Sequence, residues 1–233
     1  MLRIKLTLFG LLVYTIVDAS AGARIVSMQG DVKVRRGLEE TWQMAARGML
    51  LEDMDSILNG EASDVLLELE DGRSFRLGGN AILDIADLRL ITEQQLFLYL
   101  TAQKIRNLDP PETGKPIRIQ NVSTVRADDR SDSSVDNQVE DNLVWMQETN
   151  AALAMIEQKY YPNAVMKVHK ILDAHAKSAD KARLYFYLGQ SFEALEDNGR
   201  ALEAYQGCVG YCKSDQDQMR SQAEDAIKRI KNQ

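Results

Sequence analysis

The sequence predicts an α+β chain of several domains, with a β-rich domain first and a stack of α-helical repeats after it. Three observations support this. In the first half, apolar residues alternate over short runs, which is the period of half-buried strands. In the second half they recur every three to four residues, which is the period of helices. A short, strongly acidic segment separates the two halves.

The N-terminus has the pattern of a secretory signal peptide. Arg3 and Lys5 precede an apolar run at residues 6–17, and small residues follow at 19–21. Such a run is too short for a bilayer-spanning helix, which needs about 20 residues. We therefore expect residues 1–21 to be cleaved, and the mature protein to be periplasmic or secreted without a membrane span. An uncleaved anchor is the alternative.

The charge balance argues against nucleic-acid binding. The 233 residues carry 28 Lys and Arg against 35 Asp and Glu, a net charge of −7. Binding to phosphates needs clustered Lys and Arg, and no such cluster is present. The acidity is concentrated in residues 127–142, where one Arg stands against six Asp and Glu. Because this segment has few apolar residues to bury, we expect it to be a linker.

Residues 24–126 predict the β-rich domain, of a sandwich or solenoid-like kind. In its central hairpin, a three-residue loop at residues 71–73 would place Phe75 opposite Leu69, which makes one face wholly apolar. A two-residue loop would mix apolar and charged side chains on both faces. Residues 107–116 contain prolines and are expected to form a loop. The other expected strands are at 25–28, 32–34, 81–85, 88–91, 96–105 and 117–125.

This domain resembles the FecR domain family. That family has a Gly-x-Val-x-Val opening, a Gly-Asp-x-Ile-x-Thr element and a strand–Asp-Gly–strand centre. The matching residues are Gly30, Val32, Val34, Asp55, Ile57, Asp71 and Gly72. The chain departs from the pattern at Met54, where Gly is usual, at Asn59, where Thr is usual, and after Val125, where an Arg-Gly-Thr strand is missing. The resemblance implies an extracytoplasmic domain with a binding or structural role. An export signal at Met1 argues against the family's transmembrane signalling arrangement.

Residues 143–233 predict five helices. Residues 185–209 resemble a tetratricopeptide repeat, because Tyr185, Leu188, Gly189, Phe192, Ala201, Tyr205 and Cys208 fall at its spacings. A weaker copy lies 37 residues earlier, at Ala151, Ala152, Met155, Ala164, Val168 and Ile171. Gly189 and Ala201 should let paired helices approach closely, with the turn at residues 197–200. Residues 218–230 are expected to form a capping helix.

The resemblance to these repeats implies a binding surface on the inner face of each first helix. The residues concerned are Met146, Thr149, Leu153 and Ile156, then Arg183, Phe186, Gln190 and Glu193. The second group combines an aromatic ring with both charges, which suits an extended peptide. For the apolar first group, packing against the β domain or against another copy of the protein is the alternative.

The cysteines Cys208 and Cys212 allow two interpretations. Four residues apart on a helix, their Cα atoms lie about 6 Å apart, within the range of a disulfide. An oxidising compartment permits that bond. Alternatively, Cys208 is a small buried core residue and Cys212 an idle thiol.

No catalytic site, metal site or cofactor is expected. His169 and His175 lie about 240° apart around a helix, and the acids Glu52, Asp53 and Asp55 are expected to form a solvated turn. No phosphate loop or nucleophile elbow appears. The sequence favours a non-enzymatic bacterial adaptor that holds a protein partner with its repeats and a cell-envelope component with its β domain. The alternative is a structural or ligand-sensing envelope protein that binds cell-wall glycan and self-assembles through the repeats.

Overall fold

The computed structural model describes residues 22–106 and 136–232. The predicted signal peptide, the strand at 117–125, the loop before it and residues 127–135 of the predicted linker lie outside the described residues. Within the two described ranges, the chain forms eight strands, a short 3-10 helix and six α-helices. The prediction of an α+β chain is confirmed.

The strands form two four-stranded antiparallel sheets, ordered β4-β1-β6-β7 and β3-β2-β5-β8. Inward-facing side chains of both sheets, such as Ile25 and Val34, are fully buried and belong to one core. The chain therefore crosses repeatedly between two sheets that share one interior. The strands are β1 (Ala23–Gln29), β2 (Val32–Arg35), β3 (Gln43–Met44), β4 (Leu50–Leu51), β5 (Ser56–Asn59), β6 (Asp64–Leu69), β7 (Ser74–Leu77) and β8 (Ala81–Asp84).

The hairpin of β6 and β7 is present, but its loop is residues 70–72 and not residues 71–73. Phe75 consequently pairs with Leu67, two residues from its predicted partner. The Asp71 carboxylate sets this turn, because it accepts hydrogen bonds from the backbone and the side chain two residues further on. A shift of two residues leaves every side chain on its predicted face, so alternation alone does not detect it.

The predicted strand at residues 96–105 is instead helix α1, Glu93–Arg106. A capping box begins it: the Thr92 hydroxyl accepts from the Gln95 N–H at 3.2 Å, and the Gln95 side chain accepts from the Thr92 N–H at 2.9 Å. Leu98, which alternation placed with the inward-facing leucines, is 58% exposed. The alternation was therefore accidental.

The predicted strand at residues 88–91 is also wrong. Residues Ile85–Leu88 form a 3-10 helix, in which the first and last side chains are buried. Residues 89–92 follow it without regular structure and lead into α1.

The five helices predicted in the second half are present: α2 (Asp136–Glu157), α3 (Tyr161–Ala174), α4 (Lys181–Ala194), α5 (Asn198–Tyr211) and α6 (Asp217–Lys231). Helix α2 begins at Asp136, within the segment predicted as a linker. The ends of α2 and α4, the starts of α3 and α5, and the ends of α3 and α5 are each 37 residues apart. The 37-residue interval seen in the sequence is thus the distance along the chain from one helix pair to the next.

The turn between α4 and α5 lies at residues 195–197, earlier than the predicted 197–200. Asp197 is the N-cap of α5, because its carboxylate accepts a hydrogen bond from the Arg200 N–H at 3.0 Å. The preceding residue, Glu196, has a φ of +60°, which reverses the chain direction before the cap.

The helices pack directly on the sheets. Met155 and Ala164, from α2 and α3, belong to the same core as the inward faces of both sheets. The Gln158 side chain also bonds to both backbone groups of Arg76, at 2.7 Å each, on the outer edge of β7. Among the described helices, none is long and apolar enough to span a bilayer. The β-rich and helical parts are therefore joined by packing as well as by the chain.

Candidate functional site

An open groove of about 630 Å³ lies between helices α2, α4 and α6. Four of the predicted binding residues line it, namely Ile156, Phe186, Gln190 and Glu193. Helix α6, which was expected only to cap the stack, supplies a wall of the groove with Gln222, Asp225, Ala226 and Arg229. Because the predicted residues converge here, this groove is the candidate site.

The floor of the groove is aromatic. Phe186 and Tyr205 meet edge to face, with ring centroids 5.8 Å apart. Helix α4 crosses Tyr205 at Gly189, where a Cβ atom would lie only 2.6 Å from the ring. The close helix approach predicted at Gly189 is confirmed, and the absence of a side chain there is what lets the tyrosine ring lie under the groove.

Glu193 joins the floor to the α6 wall. Its carboxylate accepts hydrogen bonds from the Tyr205 hydroxyl at 2.9 Å and from Arg229 Nε and Nη2 at 3.0 and 2.7 Å. Burial, followed by the bond to Glu193, raises the pKa of Tyr205, so its hydroxyl stays a donor at neutral pH. The hydrogen bond to Glu193 likewise raises the pKa of Arg229. The three side chains tie α4, α5 and α6 together.

Two carboxamides line the groove, one from each of two walls. Gln190 lies on α4 and Gln222 on α6, and within the described residues neither side chain has a hydrogen-bond partner. Asp225 lies on the outer rim, where its carboxylate is 3.3 Å from the Lys228 ammonium. The rim thus offers uncommitted amide groups, whereas its charged groups have partners.

The other four predicted binding residues lie outside this groove. Thr149 is buried, and its hydroxyl donates to the Trp145 carbonyl at 2.7 Å, so it is not accessible to a partner. Leu153 lines a second cleft between α2 and the sheets. Met146 is 41% exposed on α2, and Arg183 lies in the first turn of α4. The eight residues therefore do not form one continuous face.

A buried ion network joins α3 to the 3-10 helix. Lys167 is 1% exposed, and its Nζ lies 2.9 Å from Asp87 Oδ2 and 3.1 Å from Glu148 Oε1. Burial alone would lower the pKa of Lys167, but Asp87, Glu148 and Asp84 together raise it, so the ammonium stays charged. None of these residues lines the groove. The network fastens the helices to the β-rich part.

The two histidines do not come together. His175 lies beside the same network, with Nε2 3.1 Å from Glu148 Oε2. His169 packs edge-on against the Tyr99 ring of α1. The prediction that the histidines are not side by side is confirmed.

Asp55 was predicted to lie in a solvated turn with Glu52 and Asp53, and for Asp55 this prediction is wrong. It is 3% exposed and accepts hydrogen bonds from the N–H groups of Gly37 and Glu52, both at 2.9 Å, and from Arg36 at 2.6 Å. Burial would raise the pKa of Asp55, but these donors outweigh it and lower the pKa. Asp55 therefore holds two loops of the β-rich part together.

The Cys208 and Cys212 thiols lie at the end of α5, with their Sγ atoms 3.8 Å apart. Cys208 is fully buried, and burial together with the neighbouring thiol raises its pKa to about 12. A disulfide needs about 2.05 Å between the sulfurs, so the structure has the reduced form. The oxidised form stays a prediction.

No family model matches the chain, and neither a curated protein nor a solved structure is significantly similar to it. The resemblances to FecR domains and to tetratricopeptide repeats rest on the residues that carry them.

Sequence reasoning missed the wall that α6 contributes. The signal was present, because Arg229 follows Glu193 by 36 residues and Gln222 follows Phe186 by the same interval. Helix α6 thus follows α4 at an interval of 36 residues, one fewer than the 37 residues that separate the ends of α2 and α4. Its polar composition suggested a cap and hid this correspondence.

Proposed function

We propose that the protein is a non-enzymatic adaptor of the bacterial cell envelope, which holds an extended segment of a partner protein in the groove between α2, α4 and α6. One observation carries this proposal: residues chosen from a repeat-type binding face, Phe186, Gln190 and Glu193, line a single open groove together with α6.

Two features support the assignment of the helices to the tetratricopeptide class. The helix boundaries recur after 37 residues, close to the usual repeat of 34. In addition, Gly189 lies against the Tyr205 ring, the close approach that the repeat pattern requires. In such repeats, stacked helix pairs create an extended concave surface for binding.

The β-rich part supplies the second contact of the adaptor. Its residues Gly30, Val32 and Val34 match the opening of a FecR domain, and both valines are buried in its core. This domain would engage an envelope component after export, for which the N-terminal sequence pattern is the support.

Site-specific photo-crosslinking in the native compartment tests the proposal. A photoreactive amino acid is placed at position 190 or 222, in the groove. In the control it replaces Leu90, which is 66% exposed and lies outside the groove. We expect one partner protein to be captured from both groove positions and not from Leu90. Phe186→Asp, which puts a charge on the aromatic floor, should abolish that capture.

Three results would contradict the adaptor function: the same species captured from all three positions, no capture from the groove, or capture that survives Phe186→Asp. Circular dichroism of each variant checks that it is folded. A catalytic turnover lost on mutation of Glu52 or Asp53 would contradict the non-enzymatic part of the proposal.

A further inference from the structure

The charged groups of the groove are compensated within the protein. A carboxylate has about four sites for hydrogen-bond donors. The Glu193 carboxylate has one contact from Tyr205 and three from Arg229. Asp225 is paired with Lys228. The lining residues Glu193, Asp225 and Arg229 sum to one negative charge, which Lys228 beside Asp225 offsets. A charged ligand group would have to displace one of these partners, and the groove offers it little net attraction.

The polar groups that remain available are carboxamides. Gln190 on α4 and Gln222 on α6 line the groove from two walls and have no hydrogen-bond partner within the described residues. A carboxamide presents one acceptor and two donor hydrogens. This pattern is complementary to the C=O and N–H groups of an extended peptide backbone, which have no partners of their own when the strand is single.

Beneath these amides lies the Phe186–Tyr205 floor. The Tyr205 hydroxyl is already bound to Glu193 and Tyr205 is only 2% exposed, so the half-buried Phe186 ring, supported by Tyr205, supplies most of the accessible apolar surface. Such a floor favours one aliphatic or aromatic side chain over a polar one, because burial of apolar area is the available source of free energy.

We infer that the groove binds an extended peptide segment without net charge, whose backbone is held by Gln190 and Gln222 and whose one apolar side chain rests on the Phe186–Tyr205 floor. This inference rests on the proposed function, because it specifies the ligand of the same groove.

A phage-displayed library of random dodecapeptides, selected on the immobilised full chain, supplies the probe. Selection on Phe186→Asp runs in parallel and identifies sequences that do not bind in the groove. We expect the groove-dependent sequences to have a net charge near zero and one recurrent aliphatic or aromatic position. Groove-dependent sequences with a consistent acidic or basic charge would overturn the inference and leave the proposed function standing. A selection without groove-dependent sequences would overturn both.

The best selected peptide then tests the role of the two amides. Gln190→Ala and Gln222→Ala should each weaken binding about two- to tenfold, as expected for one lost hydrogen bond. Gln218→Ala, on the exposed surface of α6 outside the groove, is the control and should have no effect.

Replacing single amides of the peptide by esters separates backbone recognition from a purely structural effect of the glutamines. At one position the ester should weaken binding to the wild-type protein but not to the Gln190→Ala variant. Ester effects that are identical in both proteins, at every position, would show that Gln190 does not hold the backbone.

Discussion

At the scale of single residues, buried polar side chains fix contacts that the apolar pattern cannot specify. Asn59, which stands where FecR domains usually have Thr, is fully buried and donates to the carbonyls of Leu77 at 2.8 Å and Gly78 at 3.0 Å. It therefore ties β5 to the end of β7. The Asp55 carboxylate likewise ties together the loops that contain Gly37 and Glu52. Asn59 serves this place better than the Thr of the FecR pattern would, because an amide can donate to two carbonyls and a hydroxyl to only one.

The Asp55 carboxylate should make stability depend on pH. Its pKa in the folded protein is lowered from the unfolded value of about 3.9. Its contribution is therefore present above about pH 4 and is lost as the pH falls through the folded pKa. Asp55→Asn should lower the free energy of unfolding by about 1–3 kcal/mol at pH 7. This difference from the wild type should shrink below pH 4, measured by urea unfolding at several pH values.

Asp225→Asn is the matched control for Asp55→Asn. The Asp225 side chain is 67% exposed in its pair with Lys228, and exposed pairs contribute about 0–1 kcal/mol. Its effect on unfolding should therefore be small at every pH. A difference between Asp55→Asn and the wild type that stays constant from pH 7 to pH 3 would contradict the role given to the Asp55 charge.

At the scale of elements, the sequence predicted best where many residues repeat the same signal. The five helices of the second half follow from a period sustained over some ninety residues. Helix α1 was missed because three leucines that alternate by chance outweighed the cap formed by Thr92 and Gln95. The hairpin register was missed because it depends on the local bonds of Asp71.

The same reasoning explains how much of the candidate site could be predicted. Positions on α4 followed from the strong second repeat, which is why Phe186, Gln190 and Glu193 lie in the groove. Thr149, on α2, is buried on the side of Trp145 and Ala152, which belong to the helical core. Leu153 instead lines the cleft between α2 and the sheets. A repeat pattern describes contacts between neighbouring repeats, and it contains no information about a domain that packs against one of them.

Two helical glycines allow a test of the packing under the groove. A Cβ at Gly189 would lie 2.6 Å from the Tyr205 ring, whereas a Cβ at Gly210 on α5 meets nothing within 4 Å. Gly189→Ala should destabilise the protein by about 1–3 kcal/mol, because overpacking exceeds the gain in helix propensity. Gly210→Ala should stabilise it by up to about 1 kcal/mol. Urea unfolding of both variants measures this, and equal effects of the two substitutions would contradict the close helix approach.

At the scale of the whole molecule, the helix pair α2–α3 differs from the pair α4–α5 in that it packs on the β-rich part. Tyr160 and Asp197 lie 37 residues apart, at the same place before α3 and α5. Asp197 caps its helix, whereas Tyr160 makes no side-chain cap. Instead its hydroxyl donates to the Ser74 carbonyl at 3.0 Å, and its ring meets Phe75 edge to face at 5.4 Å. Where α5 has a side-chain cap, α3 thus has a contact with the sheet.

This coupling predicts that the two parts unfold together. The chain has two tryptophans, and Trp42 reports on the β-rich part while Trp145 lies in the helical core. In the variants Trp42→Phe and Trp145→Phe, the remaining fluorescence and the far-UV circular dichroism should give one common urea midpoint, as for a two-state transition. Separate midpoints in these proteins would contradict the shared core.

Removing the contact should then separate the two signals. Tyr160→Ala deletes the ring on Phe75 and the hydroxyl bond to the sheet, so the Trp42 and Trp145 midpoints should move apart. Tyr211→Ala is the matched control, because Tyr211 is 50% exposed on α5 and stacks only within the helical part, on Tyr185. In Tyr211→Ala the urea midpoints reported by Trp42 and Trp145 should stay equal, even if both are lower than in the wild type. A single midpoint in Tyr160→Ala would mean that the remaining contacts, among them Lys167 with Asp87, suffice to couple the parts.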